Sequence, residues 1–161
     1  MISMYRKIDD FVKEWKHNCA GTIAIMESIT EEKKHFSIVE GHNSLESLSW
    51  HLTTAPLYFL GLIGQPLNVQ LNPSVPPQTM KEIIDEYKKV SEEVVNAVKN
   101  LNDKLLENEV DMHGNPTPIG AILRTLVDHQ THHRAQMQVL LRQAGLPVPG
   151  VMGPTKEQSN A

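Results

Sequence analysis

The chain has 161 residues, 40% of them apolar and 21% charged, and a formal net charge of −4; these values predict one globular domain spanning residues 1–161. The acidic balance excludes a general attraction to nucleic acid or to an anionic membrane, and no apolar run is long enough to cross a bilayer. The opening Met-Ile-Ser-Met-Tyr-Arg-Lys lacks the apolar segment of a signal peptide, and the single cysteine, Cys19, rules out an intrachain disulfide, so a reducing cytoplasm is the expected compartment.

The first helix is expected over about residues 8–29. Ile8, Phe11, Trp15, Cys19, Thr22 and Met26 recur at helical spacing, with Lys7, Asp10, Lys13 and Glu14 on wet faces. Cys19 on that seam reads as a small buried hydrophobe, because no adjacent motif supplies a base to activate its thiol. Residues 30–43 are polar and form a connection. A second helix follows, with Asn43 and Glu46 at capping-box spacing and Ser44 as the competing cap. Leu45, Leu48, Leu52, Ala55, Phe59 and Leu62 give it a broad apolar face, on whose inward side His51 falls, and Pro56 can bend it. Gly61, Gly64 and Pro66 end it. The connection up to Gln78, with Pro73, Pro76 and Pro77, is long enough to need a reason: a crossover between nonadjacent helix ends, or a flap over a pocket. Thr79 and Glu82 then open a third helix, expected to run to about Leu106 on Ile83, Tyr87, Val90, Val94, Val98, Leu101 and Leu105. Lys88, Lys89, Glu92, Glu93, Lys99 and Asp103 read as solvated charge, and residues 107–116 as a loop.

The last helix carries the chemistry. Thr117 is placed to cap it, Pro118 to fit its first turn, Gly145 to take the left-handed position after its last turn, and Pro147 to stop it. Ile122, Leu126, His129, His133, Gln136 or Met137, and Leu140 trace its seam. Two histidines therefore stand where leucine is expected, one turn apart on one face. A lone histidine on such a seam is usually a hydrogen-bonded core residue, but two buried imidazoles lose solvation unless their nitrogens are satisfied, and a transition metal would do so. His132 is rotated off the seam. Four helices with one oily face each solve their burial by packing together, an all-α four-helix bundle. His51 becomes the third ligand candidate if the second and fourth helices are neighbours. A strict up-down square would set them on a diagonal; the long second connection permits adjacency. Three neutral nitrogens suit zinc, nickel, cobalt or ferrous iron, and leave a coordination place for water or substrate. Asp128 points about a right angle away and is a weak ligand candidate. Gln136, one turn beyond His133, is the candidate pocket residue, and Arg134 off the seam is expected in a structural ion pair.

Ser-Leu-x-x-Leu-x-x-His at residues 44–51, His129 with His133, and the following Arg134 and Gln136 resemble the DinB-like (DinB/YfiT-like) metalloprotein superfamily; Ala135 stands where glycine is usual. The resemblance implies a four-helix bundle of unusual connectivity, often homodimeric, with a divalent transition metal (zinc, nickel or iron) on His51, His129 and His133. It also implies an extended tail from about residue 146, beside the bundle. Relatives include thiol-dependent transferases. The implied function is thus a metal-dependent S-transferase-like enzyme, in which a low-molecular-weight thiol is activated to attack a small electrophilic substrate. A metal-dependent hydrolase and a nonenzymatic metal-binding stress-response protein are the alternatives; no basic groove supports DNA binding.

Overall fold

The computed structural model describes residues 5–160. Four long helices, α1 (Ile8–Glu27), α2 (Leu45–Leu62), α3 (Met80–Val98) and α4 (Ile119–Gln143), build an all-α core, joined by a short hairpin of β1 (Glu109–Met112) and β2 (Asn115–Pro118) and followed by one turn of helix, α5 (Lys156–Ser159). Their stripes meet in one interior, where Phe11, Trp15, Met26, Leu45, Leu60, Ile83, Tyr87, Ile122 and Leu126 are almost wholly removed from water. α1 packs against α3 and α4, and α2 packs against the same two. α1 and α2 therefore face each other across one diagonal and α3 and α4 across the other. The crossovers are the first and third connections, residues 28–44 and 99–118. The long second connection, expected as a crossover or a flap, is not a crossover: it joins the neighbours α2 and α3, and it is tied down by the Trp50 indole N–H donating to the Asn72 carbonyl at 2.9 Å.

Local chemistry sets the ends of the helices. Ser44, the competing cap, wins over Asn43: its hydroxyl accepts the Ser47 amide at 3.1 Å, and Ser47 returns a bond to the Ser44 amide. Such a cap contributes about 1 kcal/mol. Glu46 is thereby free for another task. With Glu31 it flanks the buried Lys34 ammonium at 3.1 and 3.0 Å, while Lys34 also donates to the Gln78 carbonyl. One cation thus ties the first crossover to the starts of α2 and α3. Thr79 and Glu82 form the expected box on α3.

Four expectations at the other end need correction. The third helix stops at Val98, because Asn102 caps a separate 3₁₀ turn over Asp103–Glu107 that buries Leu106. Asp103 is more than solvated charge, since its carboxylate accepts the Ile8 amide of α1 at 2.9 Å. Residues 107–116 include most of the hairpin, whose turn residues His113 and Gly114 both have positive φ, 53° and 83°. That is the two-residue geometry whose twist matches antiparallel strands. The hairpin takes Thr117 as the partner of Val110, so Thr117 cannot cap α4. Pro118 occupies the cap position, and the Ile119 amide is satisfied by the Asn108 carbonyl at 2.9 Å. Gly145 does take the left-handed conformation that ends α4, with φ 75°.

After Gly145 the tail turns back along the groove between α1 and α4. Val148 is buried, Gln138 donates to the Pro149 carbonyl at 3.0 Å, and Arg142 pairs with Glu157 of α5. A side-chain Cβ at Gly21 would lie 2.5 Å from Val151. The bare backbone of Gly21 on α1 is what admits the tail.

Candidate metal centre

α2 and α4 are neighbours and run antiparallel: Phe59, late in α2, meets His129, while Leu48, early in α2, shares a cleft with Leu140, late in α4. This apposition sets His51 opposite the gap between His129 and His133. The three ring centroids lie 4.6 to 4.8 Å apart, and one ligand-capable nitrogen from each ring falls within 4.8 Å of the others. His51 Nε2 and His129 Nε2 approach to 2.9 Å. Two nitrogens sharing one ion at about 2.0–2.1 Å in tetrahedral geometry stand roughly 3.3 Å apart, so a small spread of the rings accommodates a cation. The donor set therefore fits a transition metal; among the described residues no carboxylate or thiol joins the cluster.

Electrostatics favour the ligand form of the rings. Desolvation, then the neighbouring His133, His51 and His132, push His129 down to about 4. Partial desolvation and His133 lower His51 as well. Both are neutral near pH 7, with a lone pair available for coordination. His133 Nδ1 donates to Gln136 Oε1 at 2.8 Å, which commits its proton to that nitrogen and leaves Nε2 as the donor to a metal. Ligating histidines are commonly oriented by such a partner. His129 Nδ1 is buried with no hydrogen-bond partner among the described residues, and Phe59 packs against its ring at 5.7 Å.

The centre opens outward. His51, expected on the inward side of α2, is exposed, whereas Leu48 and Leu52 on either side are buried. Gln136 and His132 are exposed as well, and His132 stacks edge-on against His133 at 4.9 Å. A wall of rings backs onto the core while one edge meets water, within reach of a small molecule. Asp128 points elsewhere and pairs with Arg124 at 3.0 Å.

Arg134 differs from expectation. It makes no ion pair among the described residues; it is buried, and its guanidinium donates to the carbonyl and the side-chain oxygen of Asn18 at 2.8 and 3.1 Å. Gln130, which sequence reasoning passed over, is buried beside it and accepts from the Tyr87 hydroxyl. The His-Gln and His-Arg dipeptides at 129–130 and 133–134 were the available signal, since two polar pairs offset by one residue need two packed faces. Burial raises the Cys19 thiol, which is thereby held protonated and away from the rings.

A model of the DinB family matches residues 4–161. The uncharacterized protein YrdA of Bacillus subtilis (strain 168) is 34% identical, with 96% of this chain and 93% of that protein aligned. The crystal structure of a DinB-like protein from Bacillus cereus ATCC 10987 superimposes with a TM-score of 0.86 at 36% identity, covering 91% of this chain and 99% of that one. The DinB-like protein YjoA of Bacillus subtilis, at 20% identity, shares the fold with a TM-score of 0.72 over 90% of this chain and 99% of its own.

Proposed function

Because this chain belongs to the DinB family, we propose that it holds a divalent transition metal on His51, His129 and His133 and acts as a metal-dependent S-transferase-like enzyme on a low-molecular-weight thiol. The observation that carries this reading is the convergence of three imidazoles, with two pushed toward neutrality, at a solvent-open edge. A bound divalent cation would supply positive charge that lowers the proton affinity of an external thiol and yields a nucleophile near neutral pH. The chain's own part is to hold and orient. α2 and α4 fix the three rings, Gln136 sets the tautomer of His133, and Phe59 shields the inner flank. The thiol has to come from outside, because Cys19 is buried on the α1 side and kept protonated.

Hydrolysis is less well supported, since among the described residues no carboxylate joins the cluster to act as general base, and Asp128 is engaged with Arg124. Among metals, three imidazoles suit zinc, nickel, cobalt or ferrous iron. A homodimer in the cytoplasm is the accompanying expectation; no helix of the described residues is long and apolar enough to cross a membrane.

The test is thioether formation from a small thiol and a fluorogenic electrophile such as monochlorobimane. Turnover is expected to vanish on chelation, return with one metal equivalent, and fall at least a hundredfold in His129→Ala or His133→Ala. His132→Ala should keep its metal. Metal uptake without any thiol-dependent turnover would leave a metal-binding protein and remove the transferase.

A further inference from the structure

A cleft of about 270 Å³ begins one helical turn from the three rings, between α2, α4 and the first crossover. Its apolar wall is Ile38, Leu48, Val139 and Leu140; its polar groups are Asn43, His42 and Gln136. Leu48 stands three residues before His51 and Gln136 three after His133, so on each helix the cleft starts about 4.5 Å along the axis from a ring. Gln136 belongs to both places: its oxygen accepts the hydrogen bond from His133 Nδ1 while its side chain lines the cleft. Among the described residues no Asp, Glu, Lys or Arg lines it. At its mouth Ile38 and Val139 remain 60% and 47% exposed, apolar surface that gains from being covered. Drug-sized ligands occupy about 300–1,000 Å³, so this cleft takes something smaller.

We propose that this cleft is the subsite for a short, uncharged aliphatic group of the electrophilic substrate, seated so that the reacting carbon lies toward the three histidines. This deepens the metal reading above and rests on it. The apolar wall binds the chain, and the amide of Gln136, which also meets His133, accompanies the polar end nearest the rings. A carboxylate or ammonium on the aliphatic end would lose its hydration against Leu48 and Leu140 without a counter-charge.

The experiment uses the zinc-loaded full chain with ¹³C-labelled Ile, Leu and Val methyls, titrated with butanol, pentanol, hexanol, butyrate and butylammonium. Shifts are expected at Ile38, Leu48, Val139 and Leu140, with affinity rising about fourfold per added methylene until the cleft is full. The two ions should bind at least tenfold more weakly. Val139→Asp, an exposed position, should weaken hexanol at least tenfold with zinc content unchanged. In the cobalt-loaded protein, proton relaxation of bound hexanol should be enhanced most at the hydroxyl end. Shifts scattered over other methyls, equal binding of the ions, or no relaxation gradient would overturn the assignment. So would shifts that follow protein concentration alone, which would mark the face as a contact between copies. Alkanol binding with no zinc uptake would contradict the metal reading alone and leave the preference for short uncharged chains standing.

Discussion

α4 presents two polar pairs at the same spacing, displaced from each other by a single residue. His129 and His133 face α2; Gln130 and Arg134 face α1 and α3. The second pair is deeply buried and held by separate protein partners: Asn18 takes the guanidinium, and Tyr87 meets the Gln130 amide oxygen, while the Gln130 amide nitrogen has no partner among the described residues. In the first pair, the rings turn toward each other and toward His51, and one buried nitrogen of His129 has no partner among the described residues. Polar groups that the fold itself satisfies specify packing. Ligand-capable rings from two helices that converge on one point at an open edge indicate a ligand.

The contrast can be broken most sharply at Arg134. Arg134→Ala should cost about 3 kcal/mol, because it removes a buried stem and strands the Asn18 carbonyl, yet the folded fraction should bind metal as the parent does. Urea denaturation alongside metal analysis of the folded peak checks both halves; a stable variant that loses its metal would reverse the assignment of the two faces. Gln136→Ala should act the other way. Loss of the partner to His133 Nδ1 is expected to weaken metal affinity about tenfold, with the unfolding free energy of the chelated protein in urea changed by less than about 0.5 kcal/mol, as for an ordinary surface change. Competition with a chromogenic chelator measures the first quantity. Tyr87→Phe sits on the structural side and should cost about 1 kcal/mol, with unchanged metal affinity.

A further effect is one of pH. His129 is depressed to about 4 in the folded chain against an ordinary value near 6.5, so between those values the unfolded state binds more protons. The stability of the chelated protein should therefore be complete above about pH 6.5 and decline as the pH falls toward 4. His129→Gln should flatten that decline. An equal slope in parent and variant would mean that the ring is not desolvated as described.

The difference between the two faces also explains how far the residues alone could be read. Helical periodicity exposed the histidine seam because it shares its face with Ile122, Leu126 and Leu140. The partner ring on α2 was legible because Leu48 and Ala55 flank His51 at one-turn spacing. Arg134 and Gln130 were opaque, because a reading that allows each helix one oily face does not foresee that α4 is packed on two sides. The exposure of His51 was likewise hidden, since the seam of α2 gives no sign of where its groove with α4 opens to solvent. The hairpin was lost for a different reason. Val110 and Met112 offer only two alternations, and the His113–Gly114 turn lacks the asparagine or aspartate that marks such turns most strongly. Once those strands pair, Thr117 is withdrawn from the helix cap that its position suggests.

The most direct measurement is a crystal structure of the protein purified without chelators, with anomalous data collected on both sides of the zinc, nickel and iron edges. The account predicts one peak about 2.0–2.3 Å from a nitrogen of each of His51, His129 and His133, with further density on the solvent side. A structure in which these three rings hydrogen-bond only to one another, and any metal sits elsewhere, would contradict it.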